Sequence, residues 1–172
     1  MNNPTNTLLT GAAAGALGTL AMDLLWFRRA RQAGTDDVFA DWEFTGEASF
    51  DDAGAPAQVG QEAASAVGVQ LPDRAGGLTN DVVHWLTGTG WGVAGSLLAS
   101  VTGLGPVAAG LTSGAAAFTA AYTVLPAIGI YDPIWNYDGK TLWKDATAHA
   151  TFGAATGIAL GVLRRLSGRS SG

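Results

Sequence analysis

The sequence predicts an all-α polytopic membrane protein, a bundle of four transmembrane helices, on three observations. Charge is segregated: Asn2 to Met22, Val82 to Tyr131 and Ala146 to Leu163 contain no Lys, Arg, Asp or Glu. Charged residues make up 13% of the 172-residue chain and hydrophobic ones 48%, against roughly 25% charged in an ordinary soluble domain. One pattern also occurs twice, as Asn80-x3-His84-x3-Gly88-x3-Gly92 and Asp145-x3-His149-x3-Gly153-x3-Gly157, and holds the only two histidines of the chain. Residues four apart share a helix ridge, so each copy describes a helix with a polar head, an imidazole one turn in and a small-residue seam below.

The first span is expected at 8–27. No Lys or Arg precedes it, so the basic head of a cleaved signal peptide is missing and the span should be retained. It ends in Trp26-Phe27-Arg28-Arg29, aromatic and basic residues that suit a bilayer edge. The segment 28–79 is the one long connection. After Arg28, Arg29 and Arg31 it carries Asp36, Asp37, Asp41, Glu43, Glu47, Asp51 and Asp52, an acidic loop dotted with aromatics. Further on, Val59, Ala63 and Val67 fall on one helical face, which predicts a short helix near 57–67 lying against the membrane surface. Pro56 suits its start, and Gly68 with Pro72 its end.

The run from Val82 to Tyr131 is long enough for two spans of about 20 residues each, and the turn Thr102-Gly103-Leu104-Gly105-Pro106 divides it into 82–101 and 107–128. Pro126 should kink or end the third span, because proline removes a helix hydrogen bond. Asp132-Pro133 then reads as a turn, with Trp135, Tyr137 and Trp143 at headgroup depth as interfacial anchors or as a lid. The fourth span, 146–163, ends in Arg164-Arg165. The competing fold, a soluble helical protein rich in Ala and Gly, would interrupt its uncharged runs sooner.

Four spans put both termini on one side and the loops 28–79 and 129–144 on the other. Arg28, Arg29, Arg31, Arg74, Lys140 and Lys144 flank the loop side against Arg164, Arg165 and Arg169 at the C-terminus, an asymmetry that orients the loops to the cytoplasm. Every span carries Gly-x3-Gly: Gly11/Gly15, Gly88/Gly92, Gly110/Gly114 and Gly153/Gly157. Such seams let backbones approach closely, within a subunit or between copies in a homo-oligomer. Their order suggests two tandem two-helix repeats in which Asp23 and Tyr122 correspond, each eight residues after its second glycine.

Counting depth from the loop side, Asp23, His84 and His149 each lie about one turn inside, and the three side chains are expected to converge. An ionised residue at the bilayer centre costs at least about 2.5 kcal/mol, less near an interface, so Asp23 should be paired, neutral or hydrated. Histidine is its natural partner, and an Asp–His contact opposed by burial can titrate near neutral pH. Asp81 and Asp145 are expected as first-turn acids favouring the helix N-termini. Each histidine has a plainer role open to it, a hydrogen bond to a neighbouring carbonyl.

The net charge of −5 opposes a nucleic-acid surface, and the absence of cysteine removes disulfides and thiolate metal sites. No cofactor is expected, although His84 and His149 on facing helices leave a bis-His haem, or with Asp23 a metal, as an alternative. Neither a nucleophile–base pair nor a P-loop, dinucleotide fingerprint or zinc-hydrolase motif is present, so an enzyme is not expected.

The stretch Leu125-Pro126-Ala127-Ile128-Gly129-Ile130-Tyr131-Asp132-Pro133-Ile134-Trp135, followed by Asp145-x3-His149, resembles the third-span end, proline-aromatic loop and acid-x3-His helix of the YagU-like family of bacterial inner-membrane proteins. Asp81-Val82-Val83-His84-Trp85 is similar to that family's polar-x-x-polar-Trp heading. The likeness covers 80–153 by residues and the rest by layout, with the long acidic loop a departure. It implies a multi-pass protein of the bacterial inner membrane without an established activity. Two functional readings follow: movement of protons or a small solute past Asp23, His84 and His149, or a non-transporting scaffold or envelope-stress protein held together by the same residues.

Overall fold

A computed structural model describes residues 4–44 and 49–169, the last two by backbone alone, so Glu47 and the Arg169 side chain lie outside the described residues. Six α-helices follow in order: α1 (Pro4–Ala33), α2 (Phe39–Phe44), α3 (Ala55–Ala66), α4 (Gly76–Thr102), α5 (Pro106–Ala127) and α6 (Gly139–Arg169). The described residues form an all-helical protein, and α1, α5 and the segment Gly139–Ser167 of α6 are long and apolar enough to cross a membrane. α4 has 27 residues, about 40 Å at 1.5 Å each. It is the helix that carries Asn80, Asp81 and His84.

The four long helices form a ring in which α1 packs on α4 and α6, and α5 packs on α6 and α4. Consecutive members run antiparallel, so the two histidine helices lie diagonally and barely touch. The interior is small and polar, with Ser96, Thr156, Ala14 and Ala109 at 0% exposure. Large apolar side chains point outward instead, among them Leu9 at 65%, Leu86 at 66% and Val101 at 79%. A soluble bundle would bury these residues; an outer apolar surface around a small-residue interior is the distribution suited to lipid.

Close backbone approach occurs where the glycines face one another. A Cβ on Gly15 would fall 2.9 Å from the Cα of Gly92, and one on Gly11 2.8 Å from that of Val93. In the other pair, Gly110 meets Gly153 and Gly157, and Gly114 meets His149 and Gly153. Hydroxyls tie the ring together by donating to carbonyls of neighbouring helices: Ser96 Oγ to Thr7 at 2.9 Å and Ser113 Oγ to Trp91 at 2.6 Å.

Several helix ends differ from the expected ones for identifiable reasons. α6 begins at Gly139 because the Asp138 carboxylate caps it, accepting from the Lys140 and Thr141 amides at 2.7 and 3.0 Å. Trp143 and Asp145 therefore sit inside a helix, and Asp145 is not a first-turn acid. Asp81 is not one either, because α4 starts at Gly76. Pro126 lies one residue before the end of α5, and Gly129 follows in the left-handed region at φ 79°. The arginines predicted to mark a bilayer edge also turn inward: Arg29 donates to the Lys144 carbonyl and to Thr147 Oγ1 at 2.9 and 2.6 Å, and Arg164 to the Ser96 carbonyl at 2.8 Å.

The acidic connection folds onto the loop end of the bundle. α3 has Pro56 in its first turn and packs along α4, with Phe50, Ala53 and Ala57 forming a small core of their own. α2 is held by Phe27, whose ring lies 5.5 Å from those of Phe39 and Trp42, and by Phe44 stacked on Trp85.

Candidate functional site

α1 and α4 cross so that His84 Nε2 lies 2.8 Å from Asp23 Oδ1, with the Asp23 side chain 5% exposed and that of His84 27%. A carboxylate only accepts, so the imidazole donates from Nε2. Asp23 Oδ2 is buried without a hydrogen-bond partner, and so is Asn80 Oδ1 one turn before His84. Glu43 of α2 approaches the same carboxylate while its Oε1 accepts from Trp85 Nε1 at 2.9 Å. Burial, and next the negative charge of Asp23, hold the Glu43 carboxyl above its ordinary range.

Above the pair lies a cavity of about 700 Å³, open on the loop side. Its carboxylates descend from exposed Asp37 and Asp41 through half-buried Glu43 and Asp81 to Asp23, with indole walls from Trp26 and Trp42. His84 and Trp26 also line a second cavity of about 490 Å³ among the helices. Ala117, Ala121, Val124 and Leu125 make its apolar wall, and His149, Asp145 and Tyr131 reach it from the α5/α6 side.

His149 does not join Asp23 and His84. Its Nδ1 donates to the Asp145 carbonyl of its own helix at 2.9 Å, and its ring packs edge-on against Phe118 at 5.5 Å. The expected three-way convergence is thus replaced by two polar groups bordering one cavity, because α1 stands beside α4 while α6 lies across the diagonal. The second group centres on Asp145, whose Oδ2 accepts from Tyr122 at 2.5 Å, with Tyr131 and Tyr137 packed on the Tyr122 ring. Burial, and then the charge of Asp145, push the Tyr131 hydroxyl up to about 12. Trp135 and Trp143, at 80% and 69% exposure, cover neither group.

Glu43, Asp37, Asp41, Trp26 and Trp42 were not among the residues expected at the site. The signal available for them was a tryptophan beside acids in a loop long enough to fold back. His84 Nε2 is committed to Asp23, and among the described residues no three His, Asp or Glu side chains converge to hold a metal ion. The arrangement suits hydrogen-bonding and cationic chemistry better than axial haem ligation. No family model, curated protein or solved structure matches the chain.

Proposed function

We propose that this chain is a four-span membrane protein that admits protons or a small solute from its loop side to the Asp23/His84 pair. The carrying observation is the graded acid cavity whose floor is that pair and which adjoins, along His84 and Trp26, the cavity between the helices. α4 serves as the fourth span, since Val82, Leu86, Leu97 and Val101 present an exposed apolar face. Below the cavities the bundle closes through Gly11, Gly15 and Gly92 and the fully buried Leu160. An opening on one side with closure on the other is what a solute site needs between steps of alternating access. The small-residue seams support tight packing within the subunit and leave room for a homo-oligomer. The resemblance of 80–153 to YagU-like proteins supports a bacterial inner membrane.

The test is flux. Purified protein in proteoliposomes containing a pH-sensitive dye should dissipate an imposed proton gradient, alone or with solute. His84→Gln, which keeps a donor toward Asp23, should abolish this while the protein stays folded and incorporated. The second reading, a non-transporting scaffold, is favoured by His149, which bonds only its own helix, and by interhelical bonds from Ser96, Ser113 and Arg164. Absence of flux from the parent protein, with loss of folding in His84→Ala, would select it. An absorption spectrum and metal analysis of the same preparation test the haem or metal alternative.

A further inference from the structure

The loop-side cavity is shaped and charged for an occupant that neither a proton nor a bare metal ion matches. Asp23, Asp37, Asp41, Glu43 and Asp81 surround one opening, and the one basic side chain in its lining is His84. Two arginines of this end are engaged elsewhere, Arg29 on α6 and Arg31 on the Thr35 carbonyl and Asp36. These carboxylates spread from the surface to the floor instead of converging as ligands of one ion.

The floor supplies an independent observation. Asp23 Oδ2 is a fully buried acceptor without a donor, at the base of the cavity, and Asn80 Oδ1 on the wall is another. Buried acceptors call for N–H or O–H donors, and a carboxylate calls for charged ones. Glu43 beside Asp23 adds to this, because a cation between two neighbouring carboxylates favours the ionised form of both. The Trp26 and Trp42 indoles supply faces for methylene groups and for cation–π contact.

We propose that this cavity binds a linear aliphatic di- or polyamine, one ammonium group donating to Asp23 Oδ2 at the floor and another to the carboxylates nearer the mouth. This rests on reading the Asp23/His84 site as a solute site, and it names the class of solute. An ammonium group brings three donors, and a flexible chain can place its charges along the descending carboxylates.

Calorimetric titration of the full chain in mild detergent with putrescine, spermidine, butylamine and magnesium chloride, at constant ionic strength, tests it. Putrescine and spermidine should bind saturably and at least about tenfold tighter than butylamine, a difference of about 1.4 kcal/mol. Asp41→Asn and Glu43→Gln, both on the loop side of the bundle, should each weaken putrescine about tenfold while the helical circular-dichroism signal holds. Equal affinity for butylamine and putrescine, or displacement of putrescine by magnesium at equal ionic strength, would overturn the proposal. Proteoliposome flux separates it from the broader reading. Amine binding without flux keeps the ligand and removes transport, and proton flux without amine binding does the reverse.

Discussion

The Tyr122 hydroxyl meets the Asp145 carboxylate at 2.5 Å, whereas strict repetition of the α1/α4 arrangement would set it against His149. Asp23 and Tyr122 occupy equivalent places eight residues after their glycines, and His84 and His149 equivalent places four residues before theirs. Gly15 meets Gly88 and Gly92, yet its counterpart Gly114 meets His149 and Gly153, one helical turn nearer the head of α6. The second pair is thus slid by four residues, about 6 Å along the axis. That slide gives Asp23 an imidazole partner and leaves His149 to its own helix.

Removing His84 should therefore destabilise far more than removing His149. His84→Ala strands a buried carboxylate, a loss of about 3–5 kcal/mol if it stays charged, whereas His149→Ala forfeits a local hydrogen bond of about 1 kcal/mol. Thermal unfolding in detergent measures both, and Asp23→Asn combined with His84→Ala should recover part of the first loss. Equal shifts from the two single variants would contradict the pairing.

Glu43 should make stability depend on pH. Its folded-state pKa is raised above the ordinary 4.5, so its contribution is complete below that value and is lost as pH rises through the raised one. Melting temperatures taken stepwise from acid to neutral should fall less steeply for Glu43→Gln than for the parent protein. Trp85 emission, reporting the bond to Glu43, should change over the same window. A parallel pair of curves would remove Glu43 from the account.

Two glycines two residues apart should respond oppositely to alanine. On Gly92 a new Cβ meets the backbone of Gly15 and Gly11, and such overpacking costs about 1–3 kcal/mol. On Gly90 it meets nothing within 4 Å, and the gain in helix propensity is up to about 1 kcal/mol. Unfolding midpoints of Gly92→Ala and Gly90→Ala should lie on opposite sides of the parent value.

Tyr122→Phe should lower stability by about 1.5–3 kcal/mol, because the ring is 6% exposed and its hydroxyl serves a carboxylate. The tyrosinate absorbance titration of the variant should still leave Tyr131 ionising at strongly alkaline pH, since burial is the larger cause of its shift. A neutral variant would mean that water replaces the hydroxyl at Asp145.

The long helices and the common level of Asp23 and His84 were legible, because segregated charge and a four-residue ridge follow from helix geometry alone. Periodicity tells which face a residue occupies, but not how far one helix slides on another. For that reason the Tyr122–Asp145 contact and the isolation of His149 could not be read. The start of α6 was within reach: Asp138, followed by Gly139, Lys140 and Thr141, carries a capping signal that the apolar run at 146–163 overshadowed. The fold of the acidic segment was less accessible. α2 is six residues long, too short for a periodic signature, and is positioned by Phe27 and Trp85 of helices remote in sequence.

That segment divides the labour of the protein. The Asp23/His84 pair belongs to helices whose glycine contacts permit little change, while Asp37, Asp41 and Glu43 sit on a strap anchored mainly by aromatic rings. On the proposed function, substitutions in the strap would alter which cations reach the floor without disturbing the bundle. Selectivity would then be an exchangeable part of this architecture, open to engineering while the helical scaffold is kept.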